Sequence, residues 1–300
     1  MTRTRLLALT LLAMLAFAGN SLLCRLALKH TAIDPVSFTL LRLASGALSL
    51  WLIVRWTQTG RSGHGNWRSA AALFVYALAF SLAYVQLNAA TGALLLFGAV
   101  QATMIGHGLW SGERLRALQG VGCVLALGGL GSLLLPGLAS PPWGSAALMI
   151  GAGMAWGVYS LRGKGAGDAT RVTAGNFLRT LPLAAATGLL VPLLPLGFSL
   201  SLDAWGVVYA LASGALASGL GYAVWYSALP SLKSVQAAAV QLSVPVIAAL
   251  GGISFLGEAL SWRLVFASLA VLGGIALVIT DKQPVKPGVE PPAPQKKQTH

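Results

Sequence analysis

The sequence predicts an all-α integral membrane protein, with ten transmembrane helices arranged as two five-helix repeats of inverted topology. Only 9% of the 300 residues are charged, whereas a soluble domain carries about 25%. Hydrophobic residues make up 56% of the chain, and its mean hydropathy is +0.76. So few charges cannot cover a surface that faces water, and lipid is therefore the expected solvent.

Ten apolar runs supply the predicted helices, and each is long enough to cross a hydrocarbon core of about 30 Å. Charges, glycine, proline or loop residues bound every run. The runs cover residues 6–28, 35–56, 67–88, 91–110, 117–136, 143–162, 174–195, 204–228, 235–256 and 262–280. The weakest boundary is Asn88 to Gly92, between the third and fourth runs. The connections are short, which excludes a separate soluble domain.

The distribution of basic residues predicts the orientation. The net charge is +13. With a cytoplasmic N-terminus, nearly all lysines and arginines fall at cytoplasmic helix ends, as the positive-inside rule requires. Both termini then lie in the cytoplasm, and the chain is expected in the cell inner membrane. Because the bases alternate with apolar runs, nucleic acid is not an expected partner.

The two ends of the chain have distinct compositions. Residues 3–18 also resemble a signal peptide, with Ala16-Phe17-Ala18 as a cleavage site. The apolar run continues to Leu28, however, which favours a first transmembrane helix. Residues 282–300 are rich in proline and lysine, and we expect them to form a disordered cytoplasmic tail.

An internal duplication is the most informative pattern. Matches between leucines or alanines are common by chance, so charged residues and glycines carry the comparison. The matched pairs are Arg25 with Arg162, Arg42 with Arg179, Glu113 with Glu258, and Gly128-Gly129 with Gly273-Gly274. They predict a first repeat at 1–138 and a second at 139–281. Five helices per repeat is an odd number, so the second repeat enters the membrane from the opposite side, as in many alternating-access carriers.

Several motifs make the chain resemble the EamA-type ten-helix exporters of the drug/metabolite transporter superfamily. They are Met154-Ala155-Trp156-Gly157, Arg42, Arg179, Gly112-Glu113, Leu256-Gly257-Glu258, Tyr222, Trp225-Tyr226 and Pro245. The first repeat departs from the pattern, with Gly19-Asn20 in place of Trp-Gly and Val100 in place of a proline. The resemblance implies export of small metabolites, with amino acids as the leading class. Among branches, the chain is similar to exporters of the aromatic-amino-acid type.

Other functions stay open at this point. The cargo could instead be a hydrophobic cation, a sugar or a nucleotide-linked metabolite, or the chain could be a membrane interaction protein that transports nothing. All seven acids lie at or beyond helix ends, which weighs against a cation pocket and a carboxylate proton relay. The oligomeric state is open too, and a monomer is compatible with the pattern.

Catalytic chemistry is not expected. The sequence has no nucleophile elbow, zinc-protease motif, P-loop or dinucleotide fingerprint. Its four histidines are too scattered for a metal site. We therefore expect neither an enzyme nor a cofactor, and the expected partners are a small-molecule substrate and the lipid bilayer.

Polar and aromatic residues at mid-depth form the predicted substrate cavity. They are Asn20, Tyr76, Tyr84, Gln101, Trp156, Tyr159, Tyr222 and Gln241. Their amides, hydroxyls and rings suit a small polar metabolite with an apolar part. Each of them alone is equally compatible with packing between helices.

Charged and titratable residues within the helices have two interpretations. A guanidinium in hydrocarbon costs roughly 2.5–3.5 kcal/mol. Arg42 and Arg179 are therefore either a gate or clamp for anionic groups, or side chains that extend to the lipid headgroups. His107 either titrates during transport or packs as a neutral side chain.

Three residues are predicted to be structural. Glu113 and Glu258 open the fifth and tenth helices, where a carboxylate stabilises free N–H groups by about 0.3–1 kcal/mol. Pro245 leaves a carbonyl unpaired and predicts a hinge within the ninth helix. Cys24 and Cys123 lie in apolar runs and are expected to be buried thiols.

Overall fold

The computed structural model describes residues 2–57, 63–112, 114, 116–135, 140–163, 167–193, 199–232 and 240–280. Within these ranges the chain is helical and contains no strand. Eight helices are long and apolar enough to cross a membrane, and two further apolar helices are shorter. Glu113 and the predicted tail at 282–300 lie outside the described residues.

The helix boundaries follow the apolar runs closely. The helices are α1 (Arg3–His30), α2 (Pro35–Thr57), α3 (Trp67–Tyr84), α4 (Ala89–Trp110), α5 (Ala117–Leu134), α6 (Trp143–Gly163), α7 (Ala169–Leu190), α8 (Ala204–Ser231), α9 (Ser243–Leu256) and α10 (Trp262–Thr280). Helix α8 is not uniform, because residues Ser213–Leu220 form a π-helical segment between two α-helical parts.

Polar side chains set three of the helix starts. Asn66, Asp168 and Asp203 each accept a hydrogen bond from a backbone N–H in the first turn of α3, α7 and α8. Such N-caps satisfy donors that have no partner inside the helix. Helix α7 therefore begins at Ala169, five residues before the predicted start at 174, because Asp168 caps it.

Pro245 follows a break in the helical backbone, with Val240 and Gln241 helical before the turn at Leu242 and α9 after it. It lies in the first turn of α9, where its missing N–H removes no hydrogen bond of the helix. A proline ring clashes with the carbonyl four residues earlier, here that of Gln241. The chain makes a turn at Leu242, immediately after that position. Pro245 therefore fixes where α9 begins.

The helices pack in a reciprocal pattern. Helix α1 contacts α8 and α9, whereas α6 contacts α3 and α4. Helix α2 packs on α7 and α8, and α5 packs on α10. Large apolar side chains such as Val124, Leu189 and Phe255 are exposed on the outer surface. A soluble protein rarely exposes so much apolar area, so this surface is suited to lipid.

Small residues allow two of these helix pairs to approach closely. A β-carbon at Gly214 in α8 would overlap the carbonyl oxygen of Arg42 and the hydroxyl of Ser45 in α2. In the α5–α10 pair, Gly122 and Gly274 each lie against the other's carbonyl oxygen. Close contact between backbones is a main source of helix association in membranes.

Replacing Gly214 with alanine should destabilise the bundle. The added methyl group has no space, so α8 must move away from α2, at a cost of about 1–3 kcal/mol. Gly151→Ala in α6 is the matched control, because nothing lies within 4 Å of a β-carbon there. Thermal unfolding of the purified proteins in detergent measures the difference. Equal melting temperatures for the two variants would contradict the α2–α8 contact.

Candidate functional site

A cavity of about 600 Å³ lies between the helices. This volume falls within the range of roughly 300–1,000 Å³ that is typical of small-molecule sites. Helices α1, α3, α4, α6, α7 and α8 contribute to its lining. The main lining residues are Phe17, Asn20, Tyr76, Phe80, Phe97, Gln101, Trp156, Tyr159, Thr173, Asn176, Ser218, Tyr222, Trp225, Tyr226 and Gln241.

Seven of the eight predicted cavity residues line this space. They are Asn20, Tyr76, Gln101, Trp156, Tyr159, Tyr222 and Gln241. Tyr84 does not line it. Its side chain is buried, its hydroxyl donates to the Ala89 carbonyl at 3.3 Å, and its ring packs against Gly92.

Sequence reasoning missed seven polar residues of the described lining: Ser21, Ser69, Ser160, Arg162, Thr173, Asn176 and Ser218. Asn176 could have been predicted, because burying its amide in an apolar run costs as much free energy as burying the amides of the predicted cavity residues. Its amide nitrogen donates to the Tyr159 hydroxyl at 3.4 Å. Thr173 and Ser218 carry no such signal, because hydroxyl residues are common in membrane helices.

Aromatic rings form one wall of the cavity around Trp156. The centre of its ring lies 4.9 Å from that of Tyr76, 5.3 Å from that of Tyr222 and 5.4 Å from that of Tyr159. Ring centres 4.5–7 Å apart are in favourable contact. The wall is therefore a packed aromatic surface that can hold an apolar part of a ligand.

Arg42 lies beside the cavity and is buried, with only 2% of its surface exposed. Its Nη2 donates to the Tyr76 hydroxyl at 3.1 Å, and its Nε donates to Ser218 Oγ at 3.4 Å. Its guanidinium carbon also lies 4.9 Å from the centre of the Phe80 ring. Arg42 therefore does not extend towards the lipid headgroups.

Asn20 and Ser213 extend these contacts. We call the whole set the Arg42 network: Ser213, Asn20, Tyr76, Arg42 and Ser218. Ser213 Oγ donates to Asn20 Oδ1 at 2.7 Å. Asn20 Nδ2 in turn donates to the Tyr76 hydroxyl at 3.3 Å. One guanidinium nitrogen, Arg42 Nη1, is buried without a hydrogen-bond partner among the described residues.

The other two predicted charge or gating residues lie away from the cavity. Arg179 is half-buried, and its Nη1 donates to the Gly175 carbonyl of its own helix at 2.9 Å. His107 is exposed near the end of α4, where its Nδ1 lies 3.5 Å from Ser111 Oγ. Neither residue is part of the lining.

One end of the bundle is closed by a group that we call the Arg25 cluster: Arg25, Tyr84, Val85, Ala89 and Glu258. Arg25 Nε lies 3.1 Å from Glu258 Oε1 in a buried ion pair. Arg25 Nη1 donates to the carbonyls of Tyr84 and Val85, each at 2.9 Å. The cluster thus joins α1, the end of α3, the start of α4 and the segment after α9.

Glu258 stabilises a different helix from the one predicted. Its Oε2 accepts the backbone N–H of Ala89 at 2.8 Å and so caps α4, not α10. Gly257 makes this geometry possible, because it ends α9 with a φ of 61°. That left-handed conformation is readily adopted by glycine. Glu258 therefore turns into the bundle, where it neutralises Arg25.

The cavity reaches only the opposite end of the bundle. There its lining includes exposed residues at the end of α6 and the start of α7, namely Arg162, Gly163 and Gly167. Towards the Arg25 cluster the lining stops at Ser21 and Phe80. These residues lie one helical turn before the cluster. Among the described residues, the cavity is thus open at one end and closed at the other.

Metal ligands and thiols play no visible part in this site. No group of three His, Cys, Asp or Glu residues that could hold a metal occurs in the described ranges. Cys24 is buried and Cys123 is half-buried, and both are free thiols. Neither lines the cavity.

Comparisons with known proteins identify a matching family, a relative and a similar fold. The sequence pattern of the EamA-like transporter family matches residues 143–280. An uncharacterized protein of Pseudomonas aeruginosa is 61% identical over 281 residues, which cover 93% of this chain and 96% of that protein. A solved crystal structure superposes with a TM-score of 0.62 at 19% identity, over 92% of this chain and 98% of the other. At that identity the likeness concerns the fold alone.

Removing Glu258 should destabilise the protein more than removing an ordinary helix cap. In Glu258→Ala, Arg25 stays buried without a counter-charge, and losing one partner of a buried pair typically costs about 3–5 kcal/mol. Asp203→Ala is the control, because it removes only the cap of α8, at a cost of about 1 kcal/mol. Thermal unfolding in detergent compares the two variants.

The double variant Arg25→Met/Glu258→Met completes this test. Replacing both charges with apolar groups removes the unpaired cation and should recover much of the lost stability. If Glu258→Ala were no less stable than Asp203→Ala, or the double variant were worse than Glu258→Ala, the ion pair would not hold this end together.

Proposed function

The chain belongs to the EamA-like transporter family, part of the drug/metabolite transporter superfamily, and we propose that it exports small metabolites, amino acids foremost, across the inner membrane. Members of this family are multi-pass membrane transporters and not enzymes. The observation that carries the proposal is the cavity that is open at one end and closed at the other. A carrier that exposes one site alternately to each side must pass through such a state.

We further propose that residues 1–138 and 139–281 are two inverted repeats. The packing pattern supports this, because adding or subtracting five from each helix number leaves the main contacts unchanged. The α1–α8 and α1–α9 contacts become α6–α3 and α6–α4, and the α2–α7 and α5–α10 contacts map onto themselves. A pseudo-two-fold relation between the halves requires this exchange. The family match at 143–280 also falls within the second repeat.

The open end of the cavity is proposed to face the cytoplasm. It lies at helix ends that carry basic residues, including Arg68, Arg162 and Arg171. The positive-inside rule assigns such helix ends to the cytoplasm. An exporter loads its substrate from there, and the Arg25 cluster would then close the outer side. Transport would require this cluster to open while the inner end closes.

Amino acids suit the chemistry of the lining. No carboxylate belongs to the described lining, which disfavours a cationic cargo. Gln101, Asn176 and Gln241 offer amide groups, and the rings around Trp156 offer an apolar surface. A small molecule with a polar end and an apolar side chain satisfies both parts of the cavity.

Purified protein in liposomes should show saturable uptake of amino acids. Trp156→Ala should lower the rate at least tenfold, because it removes the centre of the aromatic wall. Trp205→Ala is the matched control, because Trp205 is 65% exposed on the outer surface and does not line the cavity. Uptake of none of the twenty amino acids would remove this substrate class. Equal rates in the two variants would argue against this cavity as the route.

Labelling of equivalent loops tests the inversion. In a background without Cys24 and Cys123, His64→Cys lies between α2 and α3, and Leu202→Cys lies between α7 and α8. An impermeant maleimide added to intact spheroplasts should label Leu202→Cys at once but His64→Cys only after permeabilisation. Labelling of both cysteines from the same side would contradict inverted repeats.

A further inference from the structure

Arg42 is a buried cation that has no anion beside it. The one ion pair among the described residues is formed by Arg25 and Glu258. Arg42 is held instead by two neutral hydroxyl groups and two aromatic rings. An isolated charge in a low-dielectric interior is costly, and membrane proteins place such charges where they pair or act.

The hydrogen bonds around Arg42 have a consistent direction. The Tyr76 hydroxyl accepts two of them, from Arg42 Nη2 and from Asn20 Nδ2. Ser218 Oγ accepts one from Arg42 Nε. Within the described part of the chain, neither hydroxyl has an acceptor for its own proton. Both residues belong to the cavity lining, with 4% of Tyr76 and 1% of Ser218 exposed, so the network places two O–H donors at the wall of that space.

From this arrangement we infer that the Tyr76 and Ser218 hydroxyls, polarised by Arg42, form the subsite that binds the carboxylate of the substrate. The inference rests on the proposed function and narrows its substrate class to small molecules that carry a carboxylate. A carboxylate accepts hydrogen bonds through both oxygens, and charge-assisted bonds are about twice as strong as neutral ones. It would also supply the counter-charge that Arg42 lacks.

The surroundings of the subsite fit the rest of such a substrate. The ring of Tyr76 touches that of Trp156, so the aromatic wall begins where the polar group would end. The apolar side chain of the substrate therefore packs on Trp156 and Tyr222 while its carboxylate meets the two hydroxyls.

Arg42 is a positioning residue in this arrangement, because it acts through the two hydroxyls. Lysine cannot replace it, since a single ammonium group does not reproduce a planar fork that donates to Tyr76 and Ser218 at once. Variants of Arg42 also risk misfolding, because the residue fills the centre of the bundle. The test therefore uses the hydroxyls.

Binding to the purified full-length protein in detergent tests the subsite with two matched pairs of compounds. One pair is 3-phenylpropionate and 3-phenylpropionamide, and the other is 4-methylpentanoate and 4-methylpentanamide. Within each pair only the anionic group changes. The wild type should bind each carboxylate about tenfold more tightly than its amide, as expected for hydrogen bonds to a charged group.

Two variants and two controls locate the effect. Tyr76→Phe and Ser218→Ala should each reduce the carboxylate preference by roughly three- to tenfold. Tyr209→Phe and Ser227→Ala should leave it unchanged, because both residues lie in α8 outside the cavity lining. Melting temperatures without ligand establish that all four variants are folded.

The outcomes separate this inference from the proposed export. A preference that is absent in the wild type, or that survives both Tyr76→Phe and Ser218→Ala, overturns the subsite even where amino acids are transported. Failure of both carboxylates to bind overturns it as well. A preference that both variants lose supports the subsite, and it does so even if no amino acid crosses the membrane, in which case only the export proposal fails.

Discussion

The burial of two arginines is the constraint that organises this bundle. Arg25 is neutralised by Glu258, and that ion pair joins the ends of four chain segments and closes one end. Arg42 is solvated by hydroxyl groups instead, so its surroundings stay polar beside an open space. The bundle is closely packed around the Arg25–Glu258 ion pair, whereas a cavity lies beside Arg42, which has no carboxylate partner. Charge compensation thus separates the closed end from the accessible one.

Local patterns in the sequence predicted the helices well, because the length and limits of an apolar run are visible without a partner. Contacts between distant segments were not visible. Glu258 caps α4, which begins 169 residues earlier in the chain. The prediction that it stabilises the start of α10 was therefore wrong. Tyr76 and Tyr84 lie eight residues apart on one face of α3. Tyr76 lines the cavity, whereas the approach of α4 at Gly92 helps to bury Tyr84.

Positions that the proposed duplication pairs differ in what they contact. Arg42 and Arg179 are matched in sequence, yet Arg42 is held by other helices and Arg179 bonds to its own. Asn20 corresponds to Gly157 by the same offset. Asn20 donates to the Tyr76 hydroxyl, whereas Gly157 lets α6 lie against Thr103. Both halves of the chain thus supply polar groups to the cavity lining, whereas residues 139–281 supply most of the aromatic wall.

The π-helical segment of α8 connects the backbone to the site. Ser213 and Ser218 both belong to the Arg42 network, and they lie five residues apart. In an α-helix, residues five apart are rotated by roughly 140° from each other, because each residue turns by about 100°. The i→i+5 repeat of a π-helix brings them nearly into line, and such segments recur at functional sites. Gly214 and Gly219, in the same segment, lie against Ser45 and Ser49 of α2 with no space for a β-carbon. Any movement of α8 relative to α2 must therefore also change the polar groups that the cavity presents.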